Sequence, residues 1–311
     1  MSAAVEAERV TKRFGDTVAV NAMSFTVAEG ELFGFIGPDG AGKTTLFRIL
    51  ATLLVPDDGA ARVLGRDVVR ELWTLRREVG YMPGRFSLYP DLSVDENVRF
   101  FASVFGTTME AEREGIAPIY DQLAPFRDRR AAALSGGMKQ KLALCCALVH
   151  RPRILFLDEP TTGVDAVSRR ELWDLLGTLK ATGLTIVVST PYMDEADRCD
   201  RVALVQRGVL LAVDTPAAVT AAYDRPLLAV RAADRFAALA AARAYPHAQA
   251  VYPFGETLHV ADARRDAARE PLARELAEFL RARGIADARV EATAPTIEDA
   301  FIARMTEEAA A

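Results

Sequence analysis

The chain has 311 residues, of which 50% are hydrophobic and 26% charged, and its formal net charge is −5 at pH 7. This length suits about two domains, and the composition is typical of a globular protein rather than of a disordered or fibrous one. The acidic balance argues against a nucleic-acid binder, because such proteins carry an excess of lysine and arginine. We therefore expect a globular protein with no nucleic-acid partner.

No membrane or secretion signal is recognisable in the sequence. The longest apolar run, residues 142–149, is far shorter than the roughly 18 residues that span a bilayer. The N-terminal segment lacks the apolar core of a secretory signal, so we expect a cytoplasmic protein that would need another chain to act at a membrane. The three cysteines, Cys145, Cys146 and Cys199, lack the spacing of metal ligands and are predicted to be small core residues.

Up to residue 222, apolar strand-like runs alternate with helical patterns, as a parallel α/β fold requires. Helices are predicted over Thr44–Thr52 and from Ser93, where Ser93 and Glu96 form the S-x-x-E pattern of a capping box. The predicted strands cover residues 31–36, 153–158, 185–189 and 201–206.

After Pro226 the composition shifts towards alanine and arginine. The patterns there predict a strand, a helix, a hairpin around Gly255, a second helix, a strand and a closing helix. The order β-α-β-β-α-β is that of a small ferredoxin-like α+β unit. We therefore expect two domains, covering residues 1–222 and 226–311.

A phosphate-binding loop is predicted at residues 37–45, GPDGAGKTT, which fit G-x-x-x-x-G-K-[ST] between a strand and a helix. Glycines allow backbone N–H groups to surround phosphates, and the helix N-terminus adds a positive dipole end. Lys43 is expected to reach the β- and γ-phosphates and Thr44 to bind Mg²⁺. A chance glycine-rich turn is the alternative. The predicted nucleotide-binding residues of this loop are Gly37, Pro38, Asp39, Gly40, Ala41, Gly42, Lys43, Thr44 and Thr45.

Two adjacent carboxylates, Asp158 and Glu159, follow the apolar run 154–157. Asp158 is suited to the shell of a Mg²⁺ ion and Glu159 to polarising an attacking water. An acidic pair after a strand is also a common helix cap, so the pair alone does not decide between catalysis and capping. Beside the phosphate loop it indicates catalysis, with Glu159 and Lys43 as the catalytic residues.

A second anion-binding helix end is predicted at residues 134–142, LSGGMKQKL. Ser135, Gly136 and Gly137 would begin an amphipathic helix whose N-terminal dipole favours a negative charge. The chain would therefore carry two phosphate-binding helix ends.

LSGGMKQ resembles the signature motif of the ATP-binding-cassette (ABC) family, and residues 5–222 follow that family's order of motifs, including TTGVDAVSRRELW at 161–173. The resemblance implies an α/β P-loop ATPase core of the ABC type with a helical subdomain. In this family ATP is held between two subunits, so the signature is expected to act on nucleotide bound by the opposite subunit. The residues assigned to it by resemblance are Leu134, Ser135, Gly136, Gly137 and Met138.

Residues 80–101 and the motif PTIEDAFI at 295–302 are similar to ATPase subunits of bacterial drug- and polyketide-type exporters. This resemblance implies ATP and Mg²⁺ as cofactors, a separate multi-span permease, a second ABC ATPase subunit that is either identical or different, and a position on the inner face of the cell membrane. Gly163–Asp165 would contact the opposite subunit. Phe14 would stack on adenine, and a plain core phenylalanine is the alternative.

Three positions depart from the family pattern. Pro191 stands where a histidine usually contacts the γ-phosphate, and Gly84 stands where a glutamine usually contacts Mg²⁺ or water. Asp39 replaces the usual asparagine of the phosphate loop, which is a milder change. Proline can donate no hydrogen bond, so we predict a weakened catalytic site. The alternative for Gly84 is a turn residue in a subgroup with rearranged contacts.

The main prediction is therefore the motor subunit of a membrane exporter, and two other functions stay open. One is a non-transport ABC ATPase acting on ribosomes or DNA, but those usually fuse two cassettes or insert a long coiled coil, and this sequence shows neither. The other is a nucleotide-dependent module that hardly turns over, which Gly84 and Pro191 favour. GTPases are disfavoured because the sequence lacks an N-K-x-D motif and carries LSGGM.

Overall fold

The computed structural model describes residues 2–310, and the side chains of residues 2–306. The chain divides into two compact units, Met1–Pro216 and Ala217–Ala311. No helix among the described residues is long and apolar enough to cross a membrane. The division falls slightly before residue 222, where the sequence analysis ended the first domain, and separate folding of the two units stays a prediction.

The first unit is mixed α/β. Its strands are β1 (Ala3–Phe14), β2 (Thr17–Ala28), β3 (Leu32–Ile36), β4 (Asp58–Val63), β5 (Arg66–Asp67), β6 (Val79–Met82), β7 (Ile154–Asp158), β8 (Thr185–Thr190), β9 (Arg201–Gln206) and β10 (Val209–Asp214). Its helices are α1 (Lys43–Leu50), α2 (Leu72–Glu78), α3 (Val94–Val104), α4 (Arg113–Leu123), α5 (Gly136–Leu148) and α6 (Ala166–Ala181), and α7 (Pro216–Ala221) follows at the boundary. Short 3-10 turns cover Ala124–Phe126, Ala131–Ala133 and Met193–Arg198.

A six-stranded sheet in the order β10-β9-β3-β8-β7-β6 organises the first unit. Strands β9, β3, β8, β7 and β6 pair in parallel, and β10 is antiparallel to β9. Every residue of β3, β7 and β8 is buried, as expected for parallel strands covered on both faces. The four strands predicted from the sequence are confirmed. Because β3, β8 and β7 are parallel neighbours, the loops that follow them meet at one edge of the sheet.

A second sheet of the first unit is antiparallel, in the order β2-β1-β4-β5. The predicted helix over Thr44–Thr52 is confirmed as α1, and the capping box of Ser93 and Glu96 begins α3. Helices α3 and α4 pack on α5 and form a helical subdomain. The prediction that α5 is amphipathic is wrong, because its C-terminal half, residues 142–148, is buried on every side.

The cysteines lie where the sequence placed them, in the core of the first unit. Cys145, Cys146 and Cys199 are all buried and free. Burial raises the pKa of the Cys145 thiol to about 12, which makes it unreactive at neutral pH.

The second unit is a small α+β fold. Its elements are β11 (Leu227–Arg231), α8 (Arg235–Arg243), β12 (Ala248–Phe254), β13 (Thr257–Asp262), α9 (Arg269–Ala282), β14 (Arg289–Thr293) and α10 (Ile297–Ala310). The sheet is antiparallel with the order β12-β13-β11-β14, so the predicted ferredoxin-like arrangement is confirmed. Helices α8 and α9 cover one face, where Val230, Leu276 and Leu280 are buried in a core of its own.

Candidate functional site

The predicted phosphate loop connects β3 to α1, and two of its glycines are required by close packing. A Cβ atom on Gly37 would lie 2.1 Å from the carbonyl oxygen of Val205, and one on Gly42 would lie 2.0 Å from that of Ala19. Gly42 also has a φ of 97°, in the left-handed region that favours glycine. The backbone of the loop is therefore held against β9 and β2 in a conformation that no larger residue would fit.

Lys43 joins this loop to the acidic pair. Its ammonium donates hydrogen bonds to the carbonyl oxygens of Gly37 (2.7 Å) and Pro38 (3.0 Å), and it lies 3.2 Å from Glu159 Oε1. The Lys43 side chain is only 2% exposed, against 21% for Glu159. Both side chains line a cavity of about 220 Å³ together with residues 40–45 and Ala19. The structure thus brings the two predicted catalytic residues into contact.

The acidic pair is fixed to the helix α1 and to the neighbouring strand β8. Thr44 Oγ1 donates to Asp158 Oδ1 at 3.1 Å, and Ser189 Oγ donates to the same oxygen at 2.8 Å. The backbone N–H of Glu159 donates to the carbonyl oxygen and to the hydroxyl of Ser189, each at 3.0 Å. Glu159 has a φ of 51°, a conformation that is rare outside glycine and is found preferentially at functional sites.

Thr44 lines the phosphate-loop cavity and contacts Asp158, so the two residues offer a hydroxyl and a carboxylate oxygen beside that cavity. These are the hard oxygen donors that Mg²⁺ prefers, and Mg²⁺ usually takes one or two carboxylates together with substrate phosphates. Among the residues that the structure describes, no group of three or more His, Cys, Asp or Glu side chains could hold a metal ion. The residues therefore fit a Mg²⁺ ion that arrives with a nucleotide rather than a metal site made of protein ligands alone.

The signature residues form the N-terminus of α5. Ser135 caps the helix by accepting a hydrogen bond from the Met138 N–H at 3.3 Å, and Leu134 is buried just before it. A Cβ on Gly137 would lie 2.6 Å from Ser168 at the start of α6, and one on Gly136 would lie 3.4 Å from the carbonyl oxygen of Gly163. The signature therefore packs on the segment that follows the acidic pair, and none of its residues lines the phosphate-loop cavity.

Comparison with known proteins places this geometry in a family. Residues 20–162 match the family model "ABC transporter". A probable multidrug ABC transporter ATP-binding protein of Escherichia coli, YbhF, is 45% identical over 214 residues, which are 68% of this chain but 37% of YbhF. A Nod factor export ATP-binding protein I of a Rhizobium species is 36% identical over 303 residues, 96% of each chain. The chain belongs to the ABC transporter family.

This ABC transporter ATPase domain also resembles solved cassettes. A structure described as the dimeric post-hydrolysis state of the ATP-binding cassette MJ0796, bound to ADP and Pi, has a TM-score of 0.61 and 26% identity. The match covers 68% of this chain and 98% of that one. The predicted P-loop fold of the ABC type is therefore confirmed. The chain spans only about a third of the length of its relative YbhF.

The remaining predicted nucleotide contacts of the cassette lie on its surface. Phe14 is 50% exposed at the end of β1, with Lys12 Nζ 5.8 Å from its ring centroid, so it is not a core residue. Stacking of Phe14 on adenine stays a prediction. Asp39 is also exposed, in the phosphate loop.

Gly84 and Pro191, the two main departures from the family pattern, lie near the acidic pair. A Cβ on Gly84 would lie 2.9 Å from the carbonyl oxygen of Asp158. Pro191 follows directly after β8, where Ser189 is the register partner of Asp158, and the residue before it accepts a hydrogen bond from the Gly37 N–H at 3.2 Å. Pro191 thus directly follows the residue that bonds the phosphate loop, on the strand paired with the acidic pair, and it can donate no hydrogen bond.

Two residues that hold this site in place, Ser189 and Glu195, were not predicted from the sequence. Ser189 looked like one more residue of a buried strand. Glu195 is buried, and its carboxylate accepts hydrogen bonds from Thr161 and Thr190 and pairs with Arg169, whose Nε lies 3.2 Å away. The available signals were a polar residue at the end of an apolar run, Ser189, and an acidic residue soon after it, Glu195. Neither signal indicates which residue the side chain contacts.

Proposed function

We propose that this chain is the ATP-hydrolysing subunit of a membrane exporter, in which ATP binding closes a dimer of cassettes and hydrolysis reopens it. A separate permease would then move the exported molecule. The single observation that carries the proposal is the convergence of Lys43, Thr44 and Glu159 at one cavity, with Asp158 hydrogen-bonded to Thr44. The export names of the multidrug and Nod factor relatives support the transport role.

The residues of the cavity suit hydrolysis of a nucleoside triphosphate. A water oxygen would attack the γ-phosphorus while the bond from that phosphorus to the β–γ bridging oxygen breaks, and Glu159 would take the proton from the water. The Lys43 ammonium and the loop N–H groups would stabilise the charge on the phosphate oxygens. Thr44 and Asp158 would hold Mg²⁺, which neutralises phosphate charge when it is bound.

The position of the signature supports the dimer. Ser135 and Gly136 are exposed at the start of α5 and do not line the chain's own phosphate-loop cavity. A nucleotide contact by these residues would therefore involve a second cassette, identical or different, placed opposite this one. The related cassette that was solved as a dimer with ADP and Pi is consistent with this arrangement. The pair would work at the inner face of the cell membrane, on the permease.

We further propose that the catalytic site of this chain is slow. Gly84 and Pro191 both lie beside Asp158 and Glu159, and neither carries a side-chain hydrogen-bond donor or acceptor. These two positions also favour the second candidate function, a nucleotide-dependent regulatory module. The exporter subunit should hydrolyse MgATP slowly but measurably, whereas a regulatory module should bind MgATP without measurable turnover.

The test compares Lys43→Ala with the wild type and with a control, Lys180→Ala. The control removes a lysine of α6 that pairs with Asp200. A charge-assisted contact contributes about 1.5–3 kcal/mol, so Lys43→Ala should weaken ATP binding about ten- to hundredfold, and Lys180→Ala should leave it unchanged. Equal ATP affinity in a folded Lys43→Ala protein would refute the assignment of the loop.

The dimer is tested with Glu159→Gln, which should bind MgATP and accumulate as a dimer in analytical ultracentrifugation because it cannot complete hydrolysis. The double variant Lys43→Ala/Glu159→Gln should remain a monomer. A monomeric Glu159→Gln protein at all concentrations in MgATP would contradict pairing with an identical copy.

A further inference from the structure

The second unit contains a cavity that the proposed ATPase function does not use. Its volume is about 370 Å³, within the range of about 300–1,000 Å³ that is usual for small-molecule sites. It is bounded by β12, by α10 and by the segment between α7 and β11. Its polar lining residues are Tyr223, Arg225, Gln249, Tyr252, Asp299 and Thr306.

Arg225 is the residue of this cavity whose guanidinium has no hydrogen-bond acceptor among the described residues. Its side chain is only 15% exposed, and its one charged contact among the described residues is with Asp224, whose Oδ1 lies 3.9 Å from the Arg225 Nε. That distance is too long for a hydrogen bond. Asp224 itself pairs with Arg265 at 2.7 Å. A guanidinium carries five N–H donors, and those of Arg225 have no acceptor among the described residues, so Arg225 is suited to an anion from outside the chain.

Asp299 lines the same cavity but does not neutralise Arg225. Its Oδ1 accepts hydrogen bonds from the Tyr252 hydroxyl and from His259 Nδ1, each at 2.6 Å. Its Oδ2 accepts from the backbone N–H and the hydroxyl of Thr296, both at 2.8 Å. Four donors thus satisfy the carboxylate, and the two from Tyr252 and His259 hold α10 against β12 and β13. Asp299 forms a fixed wall of the cavity, and the guanidinium of Arg225 stays available.

The rest of the lining is apolar. The aliphatic lining residues are Ala250, Ala261, Ile302 and Ala303, and Tyr252 adds an aromatic ring. A bare inorganic anion would leave this surface in contact with water, whereas a ligand with a compact apolar body would cover it. The cavity therefore combines one strong anion donor with walls that bind a small hydrocarbon or aromatic group.

We propose that this cavity binds a small organic carboxylate. Arg225 takes the carboxylate group, for which the planar fork of a guanidinium has the matching geometry. The hydroxyl of Tyr223 and the amide of Gln249 lie in the same lining and supply further donors. Ile302 and Ala303 of α10, which lie in and next to the PTIEDAFI segment, contact the apolar body. The site belongs to the second unit alone and stands independently of the ATPase assignment.

The test uses the full chain and three probes: benzoate, benzyl alcohol and inorganic phosphate. Benzoate should bind saturably, with a Kd of about 1 mM or tighter in isothermal titration calorimetry. Benzyl alcohol has nearly the same body without the charge, and phosphate has the charge without the body, so both should bind at least tenfold more weakly. Phosphate binding as tight as benzoate would overturn the carboxylate assignment in favour of a general anion site.

Two variants locate the binding. Arg225→Gln should weaken benzoate binding at least tenfold, whereas the matched control Arg243→Gln, at an exposed position on α8, should leave it unchanged. Ala303→Leu keeps Arg225 and fills the cavity, so it should also abolish binding. Undiminished benzoate binding in either Arg225→Gln or Ala303→Leu, or no saturable binding by the wild type, would overturn the proposal.

Discussion

Gly84 lies against the backbone of Asp158, so close that a Cβ atom on Gly84 would stand 2.9 Å from the carbonyl oxygen of Asp158 and 3.7 Å from the Cβ of Glu159. The loop after β6 therefore approaches the acidic pair through its main chain. The glutamine that the family resemblance leads one to expect here would not fit without a shift of one of the two segments. This contact links the unusual residue at position 84 directly to the backbone of the acidic pair.

The first prediction concerns the packing at Gly84. Gly84→Ala should destabilise the first unit by about 1–3 kcal/mol, because the added Cβ meets backbone that cannot swing away. Gly177→Ala is the control: nothing lies within 4 Å of its added Cβ in α6, and it should stabilise the helix by about 0.5–1 kcal/mol. Urea denaturation followed by tryptophan fluorescence measures both, since Trp73 and Trp173 lie in the first unit. A stable Gly84→Ala protein would contradict this close contact.

The second prediction concerns Pro191. A donor directed at transition-state charge is commonly worth about 10²–10³ in rate, so the wild-type chain alone should bind MgATP but hydrolyse it slowly. Pro191→His should raise the turnover number, and Pro191→Ala, which frees the backbone without adding a donor, should not. Steady-state ATPase assays on the isolated chain measure all three. Fast hydrolysis by the wild type would mean that another group replaces the missing donor.

The third prediction concerns Ser189, whose hydroxyl connects the Asp158 carboxylate to the Glu159 N–H. Ser189→Ala should lower kcat for ATP while changing KM little, because the phosphate loop and Lys43 are untouched and only the acidic pair loses its support. Ser189→Thr restores the hydroxyl on a residue that suits a buried strand and should recover most of the activity. An equal loss of kcat in Ser189→Thr and Ser189→Ala would show that the packing, and not the hydrogen bond, matters.

The fourth prediction is a pH dependence that arises from Asp299. Burial by itself raises the pKa of Asp299, but hydrogen bonds from His259, Tyr252 and Thr296 outweigh it and hold the pKa below its usual value. A lowered folded-state pKa stabilises the protein above the unfolded-state pKa of about 3.9, and this contribution is lost as the pH falls through the folded-state pKa. The free energy of unfolding of the second unit should therefore decrease as the pH drops below about 4.

The measurement is urea unfolding between pH 3 and pH 6, followed by the amide NMR signals of β13 in the full chain. Asp299→Asn should be less stable at pH 6 and should show a smaller loss towards pH 3 than the wild type. The exposed control Asp266→Asn should follow the wild type at every pH. An Asp299→Asn protein with an unchanged pH dependence would contradict the role of this carboxylate.

The fifth prediction concerns the separability of the two units. The second unit has its own sheet and its own core, so a chain ending at Ala222, which keeps α7 whole, should stay folded and bind ATP with unchanged affinity. Fluorescence titration with a labelled nucleotide measures the affinity, and the tryptophan signal reports folding of the first unit. A truncated chain that is unfolded would show that the first unit depends on the second.

Much of this fold could be read from local patterns. The buried strands β3, β7 and β8, the capping box of α3 and the ferredoxin-like order of the second unit all follow from short runs whose period and boundaries are set by neighbouring residues. The phosphate loop could be read too, because its glycines, its lysine and the adjoining helix end lie within one short segment. The amphipathic prediction for α5 failed because burial of its C-terminal half on every side cannot be recognised until the neighbours of the helix are known.

Motifs along the chain predict which residues carry the chemistry, but the contacts of those residues are visible only in the folded protein. Lys43 meets Glu159, and Ser189 holds Asp158, because β3, β8 and β7 are adjacent parallel strands whose ends open at one edge. The availability of the Arg225 guanidinium for an anion can likewise be recognised only from its surroundings in the folded unit. The periodicity of a sequence indicates which residues of one helix or strand are buried. A contact between distant residues depends on strand order and register, and periodicity does not give either of these.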